Sequence, residues 1–311
     1  MTQAQTCYPS GKQWTIRGAG KTADAFATIV EIGGGLRQYE SGGAPVLESF
    51  ALDAICDGAH NMPLVPWPNR IRDGRYSFDG HEYQLGLTEP ALHNAIHGFG
   101  RWRNWTLRAR EPDRLVVGLL LHPQPGYPFT LDVAIEYVLA TEGLTITTTA
   151  TNRGARACPW GFGQHPYFAA GEGAIDRLTL EFDAAERLTI DARQIPTGRV
   201  PVAGSIHDFR GGRTIGNLKL DDAFTALARD EEGKIRAWLG SPGGPRIGLW
   251  ADEHFRYLQL YSGDTLAPER RRRALAIEPM TCAPNAFASG DGLMRLEPGE
   301  TFHCSWGIVT D

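Results

Sequence analysis

Short alternating or β-branched segments, cut by turns, dominate the chain. Residues 131–139 read LDVAIEYVL, with apolar side chains at every odd position and Asp132 and Glu136 between them. A period of two predicts a strand with one buried face. Residues 144–151, LTITTTAT, are rich in Thr and Ile, which suit a pleated, half-buried surface. Residues 115–121 predict a further strand, set off from 131–139 by Pro123, Pro125, Gly126 and Pro128. Residues 178–182, 187–190, 257–261 and 274–277 read the same way. Residues 23–30 fit a helical turn or a strand equally well. No long window joins a 3.6-residue period to an N-cap and a terminal glycine. The Gly- and Pro-rich stretches 240–248 and 208–217 read as hairpin loops. With no internal repeat and no low-complexity linker, the pattern predicts one all-β domain over residues 1–311, a large antiparallel β-sandwich sooner than a barrel.

Composition narrows the function. The 311 residues carry 31 Lys and Arg against 36 Asp and Glu, a net charge of −5, which argues against a protein that grips phosphate backbones. Hydrophobic residues at 42% and charged residues at 22% are those of an ordinary soluble globular protein. The five cysteines are odd in number and far apart, so neither a disulfide framework nor a structural zinc site is expected; a reducing, cytoplasmic setting is. The first twenty residues contain no apolar core of a signal peptide. The longest apolar stretch, 115–121, is interrupted by Gly118 and too short for a bilayer, so no membrane partner is expected. The run Arg270, Arg271, Arg272, Arg273 reads as a solvated loop between two strands.

Four segments set titratable groups inside apolar or turn-locked strings. In PLVPWPNRIRDG, Asn69 and Arg70 follow three prolines that fix the backbone, and Arg70 offers a planar fork of donors for hydroxyls or carboxylates. In NAIHGFGRW, His97 precedes a Gly-Phe-Gly turn. In WGFGQHPYF, His165 stands among aromatics and glycines, a setting for a proton donor or a sugar-facing group. In ALAIEPMTCAPN, Glu278 ends an apolar strand before Pro279; burial in a pocket would raise its pKa toward that of a general base. Each admits a purely structural reading: an arginine paired at the core edge, a histidine satisfied by a carbonyl, a glutamate at a sheet edge. Phosphate-binding glycine loops, His-Glu-x-x-His and Gly-x-Ser-x-Gly are absent, so no nucleotide, metal or hydrolase elbow is indicated.

Taken together, these segments resemble the aldose 1-epimerase (galactose mutarotase) family. The resemblance is to an ordered set: PNRIRDGRYSFDGHEYQL, NAIHG, HPYF, LDDAF, IEPMT with PNAF, and LEPGE. It implies a β-sandwich of the galactose-mutarotase type and a small-molecule sugar substrate, with no cofactor. It implies that Glu278 takes the proton of the anomeric hydroxyl, that His165 protonates the ring oxygen, and that His97 binds the sugar and supports the charge change. Asn69 and Arg70 match substrate-binding positions. Asp221 matches an acid that holds sugar hydroxyls, chosen over Asp222 because it lies three before Phe224. Trp67, Trp160 and Tyr167 are candidates to stack on the sugar. The strings GFGQ before HPYF and PMTCAPN after Glu278 depart from typical galactose mutarotases and leave the sugar open. Relatives acting on hexose 6-phosphates and sulfonated sugars use extra basic residues, for which Arg72, Arg101 and Arg103 are available. The rival readings are a non-catalytic carbohydrate-binding sandwich and a glycoside-processing enzyme using Glu278 and Asp221 as paired carboxylates.

Overall fold

The alternation at 131–139 becomes the strand Leu131–Ala140. A computed structural model describes residues 7–310 apart from 170, 172 and 242. In it, Leu131, Val133, Ile135, Tyr137 and Leu139 are buried while Asp132 and Glu136 stay partly exposed. Burying each of these side chains is worth about 1.5–3 kcal/mol, enough to fix which face of the strand turns inward. The strand pairs antiparallel with Arg114–Leu121 on one side and Gly143–Asn152 on the other. These belong to a nine-stranded sheet continued by Thr301–Thr310, Arg246–Ala251, Ile235–Gly240 and Thr179–Phe182.

A second sheet, of twelve strands, faces it. Its N-terminal part is Gln13–Arg17, Phe26–Val30, Leu36–Ser41 and Ala44–Leu47. Its central part is Tyr167–Ala169, Ala274–Met280, Tyr257–Tyr261 and Asp221–Leu227. One hydrophobic core runs between the sheets, from Trp14 to Ile308, and includes Leu258, Leu260, Leu275 and Ile277 of one sheet and Ile135, Ile146 and Trp306 of the other. The Tyr137 hydroxyl crosses it to donate to the Gly34 carbonyl at 2.7 Å. The fold is thus the large antiparallel all-β sandwich that the strand pattern predicts. Of the two readings of 23–30, the strand holds, after a short 3-10 turn at Gly20–Thr22. Among the described residues no helix is long and apolar enough to cross a membrane.

Three expectations are corrected. The strand holding Glu278 does not end there but continues through Pro279 to Met280. The loop after residue 240 is shorter than 240–248, because strands run up to Gly240 and resume at Arg246. The arginine run is not a solvated face. Arg270 turns inward to Asp57 and His60, and Arg272 donates to Asp176 Oδ1 at 2.7 Å, to Asp264 Oδ2 at 3.1 Å and to the Gly216 carbonyl at 2.7 Å. Arg271 and Arg273 stay exposed. Alternate guanidinium groups in the run find acids to enter against, so charge alone did not keep them in water.

Candidate active site

The pleat of three adjacent strands sorts the candidate residues. Asp221 lies opposite Tyr261, and Gln259 lies between Ala223 and Glu278 in register. Leu258, Leu260 and Ile277 point into the sandwich, so Asp221, Gln259, Tyr261 and Glu278 share the opposite, outer face. Asp222 lies opposite Leu260 and falls on the other face, where it accepts from Arg187 Nη1 at 2.6 Å. Gln259 Nε2 donates to Asp221 Oδ1 at 2.7 Å. A single-residue difference in register thus separates an acid in the cleft from one outside it.

His165 reaches the same face through a break in the neighbouring chain. The Ile277 N–H donates to the Pro166 carbonyl at 3.2 Å and the Thr281 N–H to the Phe162 carbonyl at 2.9 Å. Pro279, between them, has no N–H to give. There the adjoining chain leaves the ladder, between Gly163–Gln164 and Tyr167–Ala169, and carries His165. Gly163 allows the close approach: a Cβ there would stand 2.8 Å from the Pro68 side chain. The His165 ring stacks on Tyr167 (centroids 4.9 Å apart), which stacks in turn on His60 (4.1 Å). The Tyr167 hydroxyl donates to the Gly58 carbonyl at 3.1 Å, so the plane behind His165 is fixed.

The third wall comes from the PNRI and NAIHG segments, which pair as the short strands Arg70–Arg72 and Asn94–Ile96. The Asn69 N–H donates to His97 Nδ1 at 3.2 Å, and the His97 N–H donates to the Asn69 carbonyl at 2.9 Å. His97 meets His165 edge to face, with centroids 5.2 Å apart. Arg70 grips Glu89 in a bidentate pair, Nε to Oε2 at 2.9 Å and Nη2 to Oε1 at 3.0 Å, and its Nη2 stands 3.9 Å from Asp221 Oδ2.

These walls enclose a cleft of about 400 Å³ that brings together all six sequence-predicted residues: Asn69, Arg70, His97, His165, Asp221 and Glu278. Its size suits a small molecule. His165 Nε2 lies 3.3 Å from Glu278 Oε1, both side chains almost wholly buried. Among the described residues, His165 Nδ1 and Glu278 Oε2 have no hydrogen-bond partner. Burial pushes Glu278 well above the usual carboxylate range; nearby Asp221 adds to the rise and Arg70 opposes it. Burial lowers His165 to about 3, with Arg101 and Arg70 pushing the same way. Burial likewise holds His97 well below an ordinary histidine, helped by His165, Arg101 and Arg70. These shifts draw the proton shared by the pair from His165 toward Glu278. A carboxyl group and an imidazole in contact, each with one free polar atom, can exchange protons with two oxygens bonded to one carbon. Among the described residues no cluster of three or more His, Cys, Asp and Glu has the arrangement of a metal site.

Two of the three aromatic candidates are core residues. Trp67 is 2% exposed and Trp160 fully buried, and neither lines the cleft. Tyr167 does line it, but its ring face is taken up by the two histidines. Sequence reasoning missed Glu89, Gln259 and Tyr261. Gln259 and Tyr261 were readable from YLQLY, whose odd positions must face away from the leucines; Glu89 sits in a turn with no pattern to mark it.

An antiparallel sandwich that carries a carboxyl–imidazole pair in a cleft on its outer sheet face is the class this fold and site define. The chain belongs to the aldose 1-epimerase family, whose sequence model matches residues 20–306. It is 32% identical over 290 residues to the uncharacterized protein YihR of Escherichia coli K12, covering 92% of this chain and 90% of that one. It is 27% identical over 266 residues to the galactose mutarotase of Sus scrofa, covering 78% and 76%. Among solved structures, the GalM/aldose epimerase homologue from C. elegans superposes with a TM-score of 0.85 at 18% identity, covering 96% of this chain and 98% of that one. The galactose 1-epimerase from Lactobacillus acidophilus superposes with a TM-score of 0.78 at 20% identity, again over 96% and 98%. The structural likeness is one of fold.

Proposed function

We propose that the protein is an aldose 1-epimerase, interconverting the α and β anomers of an aldose or aldose derivative by acid–base ring opening. The contact between His165 and Glu278, 3.3 Å apart and buried together at the floor of a sugar-sized cleft, carries the reading. In the hemiacetal, the anomeric hydroxyl and the ring oxygen share one carbon. The Glu278 carboxylate takes the hydroxyl proton while the His165 imidazolium gives one to the ring oxygen, so neither a free alkoxide nor a free oxocarbenium forms. The open aldehyde turns about the adjoining bond and closes on its other face with the transfers reversed.

The two proton arrangements of the pair are the two ends of this cycle. Opening leaves a carboxyl and a neutral imidazole, and closure restores the carboxylate and imidazolium. Burial of both groups favours the first arrangement. Sugar hydroxyls around Glu278 supply the hydrogen bonds its anion lacks there and move the balance toward the second. Arg70, Asp221 and Asn69 hold the remaining hydroxyls, and His97 supports the charge change beside His165. We assign the enzyme to the cytoplasm, in keeping with its five free cysteines.

Exchange NMR on equilibrated anomers tests the proposal. The protein should speed exchange of at least one aldose, and Glu278→Gln should remove about 10²–10⁴-fold of that rate. Sugar binding without any faster exchange points instead to a non-catalytic carbohydrate-binding sandwich.

A further inference from the structure

His165 lacks the usual restraint on a reacting imidazole. Such a ring is commonly oriented by a hydrogen bond to the nitrogen that does not react. Without one, the ring torsion of a histidine is broad. Among the described residues, no partner reaches His165 Nδ1. Stacking holds the plane of the ring instead. His165, Tyr167 and His60 form a column of three rings, with successive centroids 4.9 and 4.1 Å apart and planes inclined by 11° and 15°.

The far end of the column is anchored. His60 is fully buried. Its Nε2 lies 3.1 Å from the Glu48 carbonyl, which only accepts, so Nε2 carries the hydrogen and Nδ1 is left as an acceptor. Arg270 Nη2 donates to that Nδ1 and stands 3.7 Å from Glu48 Oε2, while its Nη1 donates to Asp57. A guanidinium so placed cannot shift without leaving two acids and an imidazole behind. The segment that carries His60 also clasps the chain at His165. The Asn61 N–H donates to the His165 carbonyl at 3.0 Å, the His165 N–H to the Met62 carbonyl at 3.1 Å, and the Tyr167 N–H to Asn61 Oδ1 at 2.8 Å. These bonds fix main chain; the His165 ring is left to the column. His60 and Arg270 do not line the cleft, so they reach a bound sugar only through Tyr167 and His165.

We propose that Arg270 and His60 are positioning residues: together they fix the Tyr167 ring, and through it the plane in which His165 Nε2 meets Glu278. The kinetic consequence rests on the epimerase reading above. Rotation of the imidazole out of that plane carries Nε2 off the ring oxygen, and a misplacement of about 1 Å can cost about 100-fold in rate. The inward turn of Arg270, in a run of four arginines, thereby acquires a role in the reaction.

Relaxation of ¹³Cε1-labelled histidines and exchange NMR on glucose, galactose, mannose and xylose test this on the full chain. The His165 signal, assigned by its loss in His165→Asn, should be as rigid as the backbone in the parent. In Arg270→Met its order parameter should fall. On the sugar that the parent exchanges fastest, kcat should drop about 10- to 100-fold with KM within about twofold, and Arg270→Lys should keep part of the rate. The Asp57 side chain is 58% exposed, so Asp57→Asn folds where Arg270→Met does not, and it should show the same changes at smaller size. A His165 ring that stays rigid in these variants overturns the proposal, as does a loss confined to KM. A merely structural Arg270 would lower the unfolding midpoint and leave both the ring and kcat as in the parent. Should no aldose exchange, the epimerase reading fails, while the relaxation still decides whether Arg270 restrains the ring.

Discussion

Asn69 and His97 hold each other in left-handed backbone, at φ 53° and 61°, each giving its N–H to the other residue. Because Nδ1 of His97 accepts the Asn69 amide proton, its neutral ring must carry hydrogen on Nε2. Long-range ¹⁵N–¹H spectra at neutral pH should show the Nε2-protonated pattern for His97. An Nδ1-protonated pattern would mean that this wall is arranged differently in solution.

The neighbouring acids Asp221 and Asp222 should separate cleanly in function. Asp221→Asn should lower kcat/KM about 10- to 100-fold, because it weakens a charged acceptor within the cleft. Asp222→Asn breaks the contact to Arg187 and should cost about 1–3 kcal/mol of stability while leaving kcat/KM near the parent value. Kinetics and urea unfolding on both variants would check this, and the reverse pattern would place the wrong acid in the cleft.

Gln259 is a positioning residue, acting through Asp221. Gln259→Leu leaves Asp221 without its donor, and KM should rise about tenfold with a smaller change in kcat. A loss confined to kcat would show that Gln259 serves the proton transfers themselves.

Stability should fall in acid, and His97 should contribute to the fall. Its folded pKa lies well below 6.5. Above pH 6.5 the ring is neutral in both states. Below it the unfolded chain takes up a proton that the folded chain refuses, so stability drops as pH falls. His165 and His60 act with the same sign. Glu278 acts oppositely: its raised value costs stability as pH climbs above 4.5. His97→Asn tolerates the left-handed backbone and removes the titration. Between pH 6.5 and 5.5 it should lose less stability than the parent, by up to about 1 kcal/mol. Urea unfolding at both pH values measures the difference; equal losses would show that His97 is not buried neutral.

Sequence patterning disclosed the nine-stranded sheet best. There one face is buried and the other wet, as at 131–139, and the period of two survives in the letters. It said little about Gln13–Arg17, Leu36–Ser41 and Ala44–Leu47, which are short, interrupted by turns and partly buried on both faces. It stopped the Glu278 strand at Pro279, because the position that forgives a missing N–H is defined by a neighbouring chain more than a hundred residues earlier. Asn69, Arg70, His97, His165 and Glu278 stood out because they sit inside apolar or turn-locked strings, whereas Asp221 came only from the family resemblance. Glu89 did not stand out, since its importance lies in its partner Arg70. Nor could the letters show that Arg70 is gripped by an acid from a distant turn.

The division of Tyr257–Tyr261 between leucines on one side and Tyr257, Gln259 and Tyr261 on the other has an evolutionary corollary. Leu258 and Leu260 are written for the interior, while Tyr261 lines the cleft and Gln259 holds Asp221 in it. Taste for a different sugar can be acquired by respelling the outward letters, while those that hold the two layers together stay as they are.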